Sequence, residues 1–180
     1  MRVGLISDTH IPETRPGLPK EIFDVFRDVD LVLHGGDMYV IDVLDWLEQG
    51  LSVPIVAVRG NGDGRSDHPP FPANDPRVKD VQTLDLEGVR VGMVHAIPFP
   101  HEVRTEHFDR VVKETFGEQA IDVVVCGDTH IPRVDLYQEM LLVNSGSPTI
   151  HDLRKRLGTV AILTIERGKA SATMIELSGV

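Results

Sequence analysis

Cysteine occurs once in the 180 residues, at Cys126, so the chain forms no internal disulfide and no thiolate zinc cluster. Positive charge is scarce: 18 Lys and Arg stand against 28 Asp and Glu, a formal net charge of −10. That balance repels phosphate backbones and anionic lipid, so stable nucleic-acid binding and a membrane-surface role are not expected. A phosphate-bearing ligand then needs a local source of positive charge. No apolar run approaches the length of a bilayer span, and the opening MRVGLISDTH holds too few apolar residues for a signal-peptide core. The expectation is a soluble, cytoplasmic protein. With 41% apolar residues, the length suits one sizeable core and one domain over residues 1–180.

Apolar runs of strand length recur at 2–7, 30–34, 53–58 and 122–126, each compatible with a buried strand. Between the first three lie helical spacings. Leu18, Ile22, Val25, Phe26 and Val29 share a face, with Pro19 near the start; Ile41, Leu44 and Leu47 share another that stops at Gly50. A third helix is predicted from about Val103 to Phe116, with Gly117 to cap it. The β-α-β-α-β order implies parallel pairing with right-handed crossovers. Three hairpins are predicted around Glu87-Gly88, Gln138 to Met140 and Arg167-Gly168. Mixed parallel and antiparallel signals imply two sheets packed together with helices outside. The proline-rich stretch 61–76 has no periodicity and reads as a surface loop.

The buried strands end in residues that a core would not choose: Ser7-Asp8-Thr9-His10, His34-Gly35-Gly36-Asp37, Arg59-Gly60-Asn61-Gly62-Asp63 and Gly127-Asp128-Thr129-His130. A hairpin strand ends at His95. Ligands of open α/β sheets gather beyond the carboxyl ends of the strands. Seven side chains, Asp8, His10, Asp37, Asn61, His95, Asp128 and His130, thus point toward one place. Carboxylate and amide oxygens mixed with imidazole nitrogens suit divalent cations such as Mn²⁺, Fe²⁺ or Zn²⁺. Seven donors exceed the need of one four-coordinate ion. Two ions sharing a bridging carboxylate would use them all, and such a pair can activate water for in-line attack on a phosphoester.

The succession SDTH (7–10), GGD (35–37), RGNGD (59–63), VHA (94–96) and GDTH (127–130) resembles the calcineurin-like metallophosphoesterase superfamily, in particular its small single-domain phosphodiesterase branch, which is related to the retromer-subunit fold. The resemblance implies an α/β fold, a four-layer α-β-β-α sandwich of two mixed sheets, with a dinuclear centre at the strand ends. By position it implies that Asp8, His10 and His130 hold one metal, that Asp37 bridges, and that Asn61, His95 and Asp128 hold the other. Two divalent ions are implied, Mn²⁺ first, with Ni²⁺, Fe²⁺, Zn²⁺ or Mg²⁺ as alternatives.

Three departures stand out against that family. Asp128 occupies the place of a usual histidine; with two metals and a bridging hydroxide the formal charge falls from about +1 to about zero, so anions should bind less tightly. Gly62 stands where larger relatives carry a histidine able to protonate a leaving group, which favours esters with good leaving groups. Ala96 replaces a glycine after His95 and is expected to alter that turn.

Other polar residues have plainer roles. His34 is expected to support the ligand residues through a hydrogen bond rather than to ligate; His101 and His107 are surface residues by default, and His68 is a candidate leaving-group acid. Asn144-Ser-Gly-Ser is either an anion cradle or a strand-end turn. The leading expectation is a metal-dependent phosphodiesterase or broad phosphatase acting on a small phosphodiester or phosphomonoester, with Asn61 and His95 positioning a phosphate oxygen. A protein-interaction scaffold on the same fold is the alternative, a metal sensor the third, and a homo-oligomer is compatible with all three.

Overall fold

The structure, a computed structural model, describes residues 1–66, 71–150 and 157–177. In chain order its elements are β1 (Arg2–Ile6), α1 (Lys20–Val25), β2 (Leu31–His34), α2 (Asp42–Leu51), β3 (Ile55–Val58), β4 (Val78–Lys79), β5 (Val81–Leu86), β6 (Val89–Val94), α3 (Thr105–Phe116), β7 (Val123–Cys126), β8 (Arg133–Tyr137), β9 (Met140–Asn144), β10 (Thr159–Glu166) and β11 (Lys169–Glu176). They form a six-stranded sheet in the order β11-β10-β1-β2-β3-β4 and a five-stranded sheet in the order β5-β6-β7-β9-β8. In the first sheet β1, β2, β3 and β4 run parallel, with β10 antiparallel beside β1. In the second, β6, β7 and β9 run parallel, flanked by antiparallel β5 and β8.

Three apolar layers give the α-β-β-α order. Ile6, Val32 and Ala57 pack outward onto Ile22 and Phe26 near α1 and Leu44 and Leu47 of α2. Leu5, Leu33 and Leu163 pack inward onto Met93, Val125 and Val143 of the other sheet. Val124 and Leu142 pack against Phe108 and Phe116 of α3. Neighbours such as Leu5 and Ile6 face opposite layers and both are buried, which is why these strands read as unbroken apolar runs.

The hairpins form at the residues read from the sequence. Glu87 (φ 49°) and Gly88 (φ 82°) make a two-residue turn with both φ positive, the type whose twist matches its strands. Two details differ. The second helix runs through Gly50 to Leu51, and Ser52 caps it in the left-handed region at φ 58°. Gly50 is there for packing: a Cβ at that position would collide with the ring of Phe23, so the glycine lets the two helices approach. The short strand β4 was not legible, because two residues carry no periodicity; it is held by pairing of Val78 with Ala57 and by Gln82 Nε2, which donates to the Arg77 carbonyl just before it at 2.9 Å and to the Ala57 carbonyl at 2.6 Å. Among the described residues no helix is long and apolar enough to cross a membrane.

Candidate metal centre

Parallel strands deliver their C-terminal ends to one edge, and the seven candidate ligands occupy that edge. Asp8 and His10 follow β1, Asp37 follows β2, Asn61 follows β3, His95 follows β6, and Asp128 and His130 follow β7. Asp8 Oδ1 lies 3.9 Å from His10 Nε2 and 3.6 Å from His130 Nε2. Asp37 Oδ2 lies 3.5 Å from His10 Nε2 and 3.7 Å from His95 Nε2. Asn61 Oδ1 is 2.9 Å from His95 Nε2, and Asp128 Oδ1 is 3.8 Å from the same nitrogen. Two compact groups result, Asp8-His10-His130 and Asp8-Asp37-His95, each with ligand atoms within 4.8 Å of one another. Asp37 stands between an imidazole of each, and Asp128 and Asn61 approach through His95.

The donor chemistry fits divalent cations. Among the described residues, Asp8 Oδ2 and His10 Nε2 are buried with no hydrogen-bond partner, an arrangement that costs stability unless a cation completes it. His95 gives a second indication. Its Nδ1 lies 2.7 Å from the Gly35 carbonyl, which fixes the proton of a neutral ring there and leaves Nε2 a lone pair. That lone pair faces the oxygen of Asn61, so two electron-pair donors converge on one space.

The backbone is bent for this purpose. Asp8 (φ 54°), His10 (φ 47°), Asp37 (φ 55°), Asp128 (φ 72°) and His130 (φ 59°) all adopt the left-handed region, which is unfavourable for residues with a Cβ and clusters at functional sites. Each sits in the abrupt turn that ends a strand and throws its side chain back over the sheet edge. Two glycines make room. Gly36 has φ 100°, and a Cβ on it would come within 2.6 Å of His95 Nδ1; a Cβ on Gly60 would collide with Asp37.

Buried polar groups lock the turns together. Asp63 accepts four backbone N–H groups, from Asp37 at 3.0 Å and from Met38, Tyr39 and Gly60 at 2.8 Å each. Burial pushes its carboxyl above the usual range, against the pull of those donors. Asp37 Oδ1 in turn accepts from the Gly62 N–H at 2.7 Å. His34 accepts the Gly36 N–H on Nδ1 at 3.1 Å; complete burial lowers its pKa to about 3, so it stays neutral.

A family model for the calcineurin-like phosphoesterase superfamily domain matches residues 1–168. The chain belongs to that superfamily. It is 35% identical over 176 residues to a probable metallophosphoesterase of Methanothermobacter thermautotrophicus, covering 97% of this chain and 92% of the relative. It is 26% identical over 152 residues to a phosphodiesterase of Methanocaldococcus jannaschii, covering 81% and 83%. The fold is shared with Vps29 of Entamoeba histolytica, solved in complex with zinc, at a TM-score of 0.68 and 17% identity over 98% of this chain and 99% of that one.

This member of the superfamily departs from the wider pattern at three positions. Asp128 is held at its N–H, which donates to Asp8 Oδ1 at 3.2 Å, while its carboxylate remains 45% exposed. At Gly62 a Cβ would collide with the ring of Tyr39, which packs 4.4 Å from the ring of His10; the space of a histidine at 62 is filled from another strand exit. Ala96 is exposed and has no positive φ, so its own backbone does not require glycine. Among the described residues His34 bonds the Gly36 N–H and Thr9 Oγ1, so it supports the turns that carry the candidate ligands rather than the ligands themselves. His101 is 51% exposed and pairs with Asp135 at 3.1 Å, and His107 contacts Arg110 on the surface. His68 lies outside the described residues.

The Asn144-Ser-Gly-Ser turn is a strut. Asn144 Nδ2 donates to the Gly127 carbonyl and to Thr129 Oγ1, Ser147 Oγ donates to the Asp8 carbonyl, and Thr149 Oγ1 donates to the Thr9 carbonyl. Sequence reasoning missed Asp63, Ser147 and Thr149. Asp63 and Ser147 left a trace, the one in the RGNGD run and the other in the Asn144-Ser-Gly-Ser turn, but the groups they bond follow β2 and β1.

Proposed function

We propose that the protein is a metal-dependent phosphodiesterase whose centre comprises Asp8, His10, Asp37, Asn61, His95, Asp128 and His130. The observation that supports this reading is the pair of ligand groups Asp8-His10-His130 and Asp8-Asp37-His95, with Asn61 and Asp128 beside His95 Nε2, in which Asp8 Oδ2 and His10 Nε2 are buried without a hydrogen-bond partner among the described residues. When bound, a pair of divalent cations, Mn²⁺ first among the candidates, would activate water as the nucleophile and supply positive charge for a phosphoryl oxygen. The chain's own contribution is placement. Asp8 belongs to both groups of ligands, Asp37 reaches an imidazole of each, and the Gly35 carbonyl holds the His95 ring so that Nε2 faces inward beside Asn61. Asn61, which is exposed, with the buried His95 behind it, would orient a phosphate oxygen of the ester. No side chain at 62 supplies a proton to the departing oxygen, so esters of acidic alcohols and phenols are the better substrates. A free buried Cys126 accords with a cytoplasmic setting.

The test is hydrolysis of bis(p-nitrophenyl) phosphate by purified protein loaded with Mn²⁺ or Ni²⁺, beside Asp37→Ala. Turnover that the variant abolishes supports the reading, and equal rates in both overturn it. A protein-interaction scaffold is the second reading, favoured by Asp128 in the place of an imidazole and by the fold shared with Vps29; full metal occupancy without turnover would select it.

A further inference from the structure

Beside Asn61 and His95 opens a cleft of about 360 Å³ lined by Arg59, Gly60, Asn61, Asp80, Val94, His95 and Ala96. It is continuous with the candidate centre, since Asn61 and His95 form walls of both, and its volume lies in the range of small-ligand sites. Val94 and Ala96 give it an apolar floor. Arg59 gives it a cation, in a chain with a net charge of −10 and next to a centre that carries three aspartates. The Arg59 backbone is fixed by its N–H bond to the Lys79 carbonyl at 2.9 Å, and its guanidinium lies over the Phe71 ring at 5.0 Å. A stacked guanidinium loses little freedom when it forms hydrogen bonds and suits a phosphate. Its carboxylate contact among the described residues is loose: Asp80 meets Nε at 3.5 Å and is 89% exposed. Water screens such a pair, so a phosphate dianion can compete with it.

We infer that this cleft is a subsite for one arm of the substrate, and that Arg59 recognises a second phosphate carried on that arm. The inference rests on the phosphodiesterase reading and narrows its substrate class to diesters with a further phosphate, as in a nucleotide phosphorylated at two positions. Asn61 and His95 hold the scissile phosphate at the mouth of the cleft, the apolar floor takes the connecting sugar, and the guanidinium closes on the distal phosphate.

Two measurements test it. Thymidine 5′-(p-nitrophenyl phosphate) is compared as substrate with the same ester bearing a 3′-phosphate. The native protein should show a kcat/KM ratio favouring the 3′-phosphorylated ester by roughly tenfold or more, and Arg59→Met, which keeps an apolar stem against Phe71, should bring the ratio close to one. Because the readout is a ratio, a general loss of rate in the variant cancels. An unchanged ratio in Arg59→Met, or no preference in the native protein, overturns the subsite. Calorimetric titration of metal-loaded protein with thymidine 3′,5′-bisphosphate and with thymidine 5′-phosphate reads the same contact without turnover. The bisphosphate should bind more tightly, lose that advantage in Arg59→Met, and bind more tightly still in Asp80→Asn; equal affinities for the two ligands overturn the inference. A protein that hydrolyses neither ester but binds the bisphosphate through Arg59 refutes the phosphodiesterase reading while leaving the subsite standing.

Discussion

The carboxylate of Asp63 accepts the backbone N–H of Asp37 at 3.0 Å, which fastens the exit of β3 to the exit of β2 directly beneath the candidate bridging ligand. With its three further N–H donors it is the organiser of this half of the site. Asp63→Asn keeps the shape but replaces one acceptor oxygen with an amide that faces donors. Urea unfolding should show a loss of about 2–3 kcal/mol. Isothermal titration with Mn²⁺ should show weaker uptake, by about 10- to 100-fold, as for other groups that orient ligands. An unchanged affinity would mean that the ligand turns are held without this carboxylate.

Asp128 supplies a direct test of charge. Its position is fixed by the N–H bond to Asp8, and its exposed side chain can be exchanged without disturbing a packed neighbour. Asp128→His removes one negative charge from the centre. The expected result is a rise of about tenfold in kcat/KM for bis(p-nitrophenyl) phosphate, or tighter inhibition by phosphate. Unchanged or lower activity would show that the carboxylate matches the cation this protein uses.

His34 makes stability depend on pH in a definite direction. Its pKa of about 3 in the folded chain lies below the unfolded value of 6.5, owing first to burial. Below pH 6.5 the unfolded chain therefore takes up a proton that the folded chain refuses, and stability falls as pH drops toward 3. At pH 4.5 the contribution is a loss of about 3 kcal/mol relative to pH 7.5. Comparing the pH dependence of urea midpoints in the native protein and His34→Gln isolates it, because contributions of the carboxylates are common to both. Parallel curves would contradict the assignment.

Gly62 and Tyr39 should be energetically coupled. Gly62→Ala puts a methyl group into the Tyr39 ring and should lower stability by about 1–3 kcal/mol. The same substitution in a Tyr39→Ala background should cost markedly less, and a double-mutant cycle measures the difference. Strict additivity would place the strain elsewhere. Installing a histidine at 62 to supply a leaving-group acid should fail for the same reason unless Tyr39 is shortened too.

Much of this arrangement was legible in the chain. The repeated DTHIP at 8–12 and 128–132 is two strand exits whose residues meet, as the Asp8 to Asp128 hydrogen bond shows. Apolar runs revealed the parallel strands, and turn dipeptides placed the three hairpins, because buried layers and positive-φ turns restrict composition locally. What escaped notice depends on contacts distant in sequence. Asp63 is an ordinary loop aspartate until β2 brings N–H groups to it from 24 to 26 residues away. Ser147 and Thr149 reach the Asp8 and Thr9 carbonyls across 139 and 140 residues. Gly50 looked like a terminator because Phe23, which needs its missing side chain, belongs to another helix.

The left-handed turns at Asp8, His10, Asp37, Asp128 and His130 bear on how this centre can change over time. Aspartate, asparagine and histidine are the side-chain-bearing residues most at home in that conformation, and they are also the oxygen and nitrogen donors that hard and intermediate cations accept. Backbone tolerance and coordination chemistry thus select the same short alphabet. One donor can be swapped for another by a single codon change with the loop left as it was, so the preferred cation and the charge of the centre can drift while the scaffold stays constant.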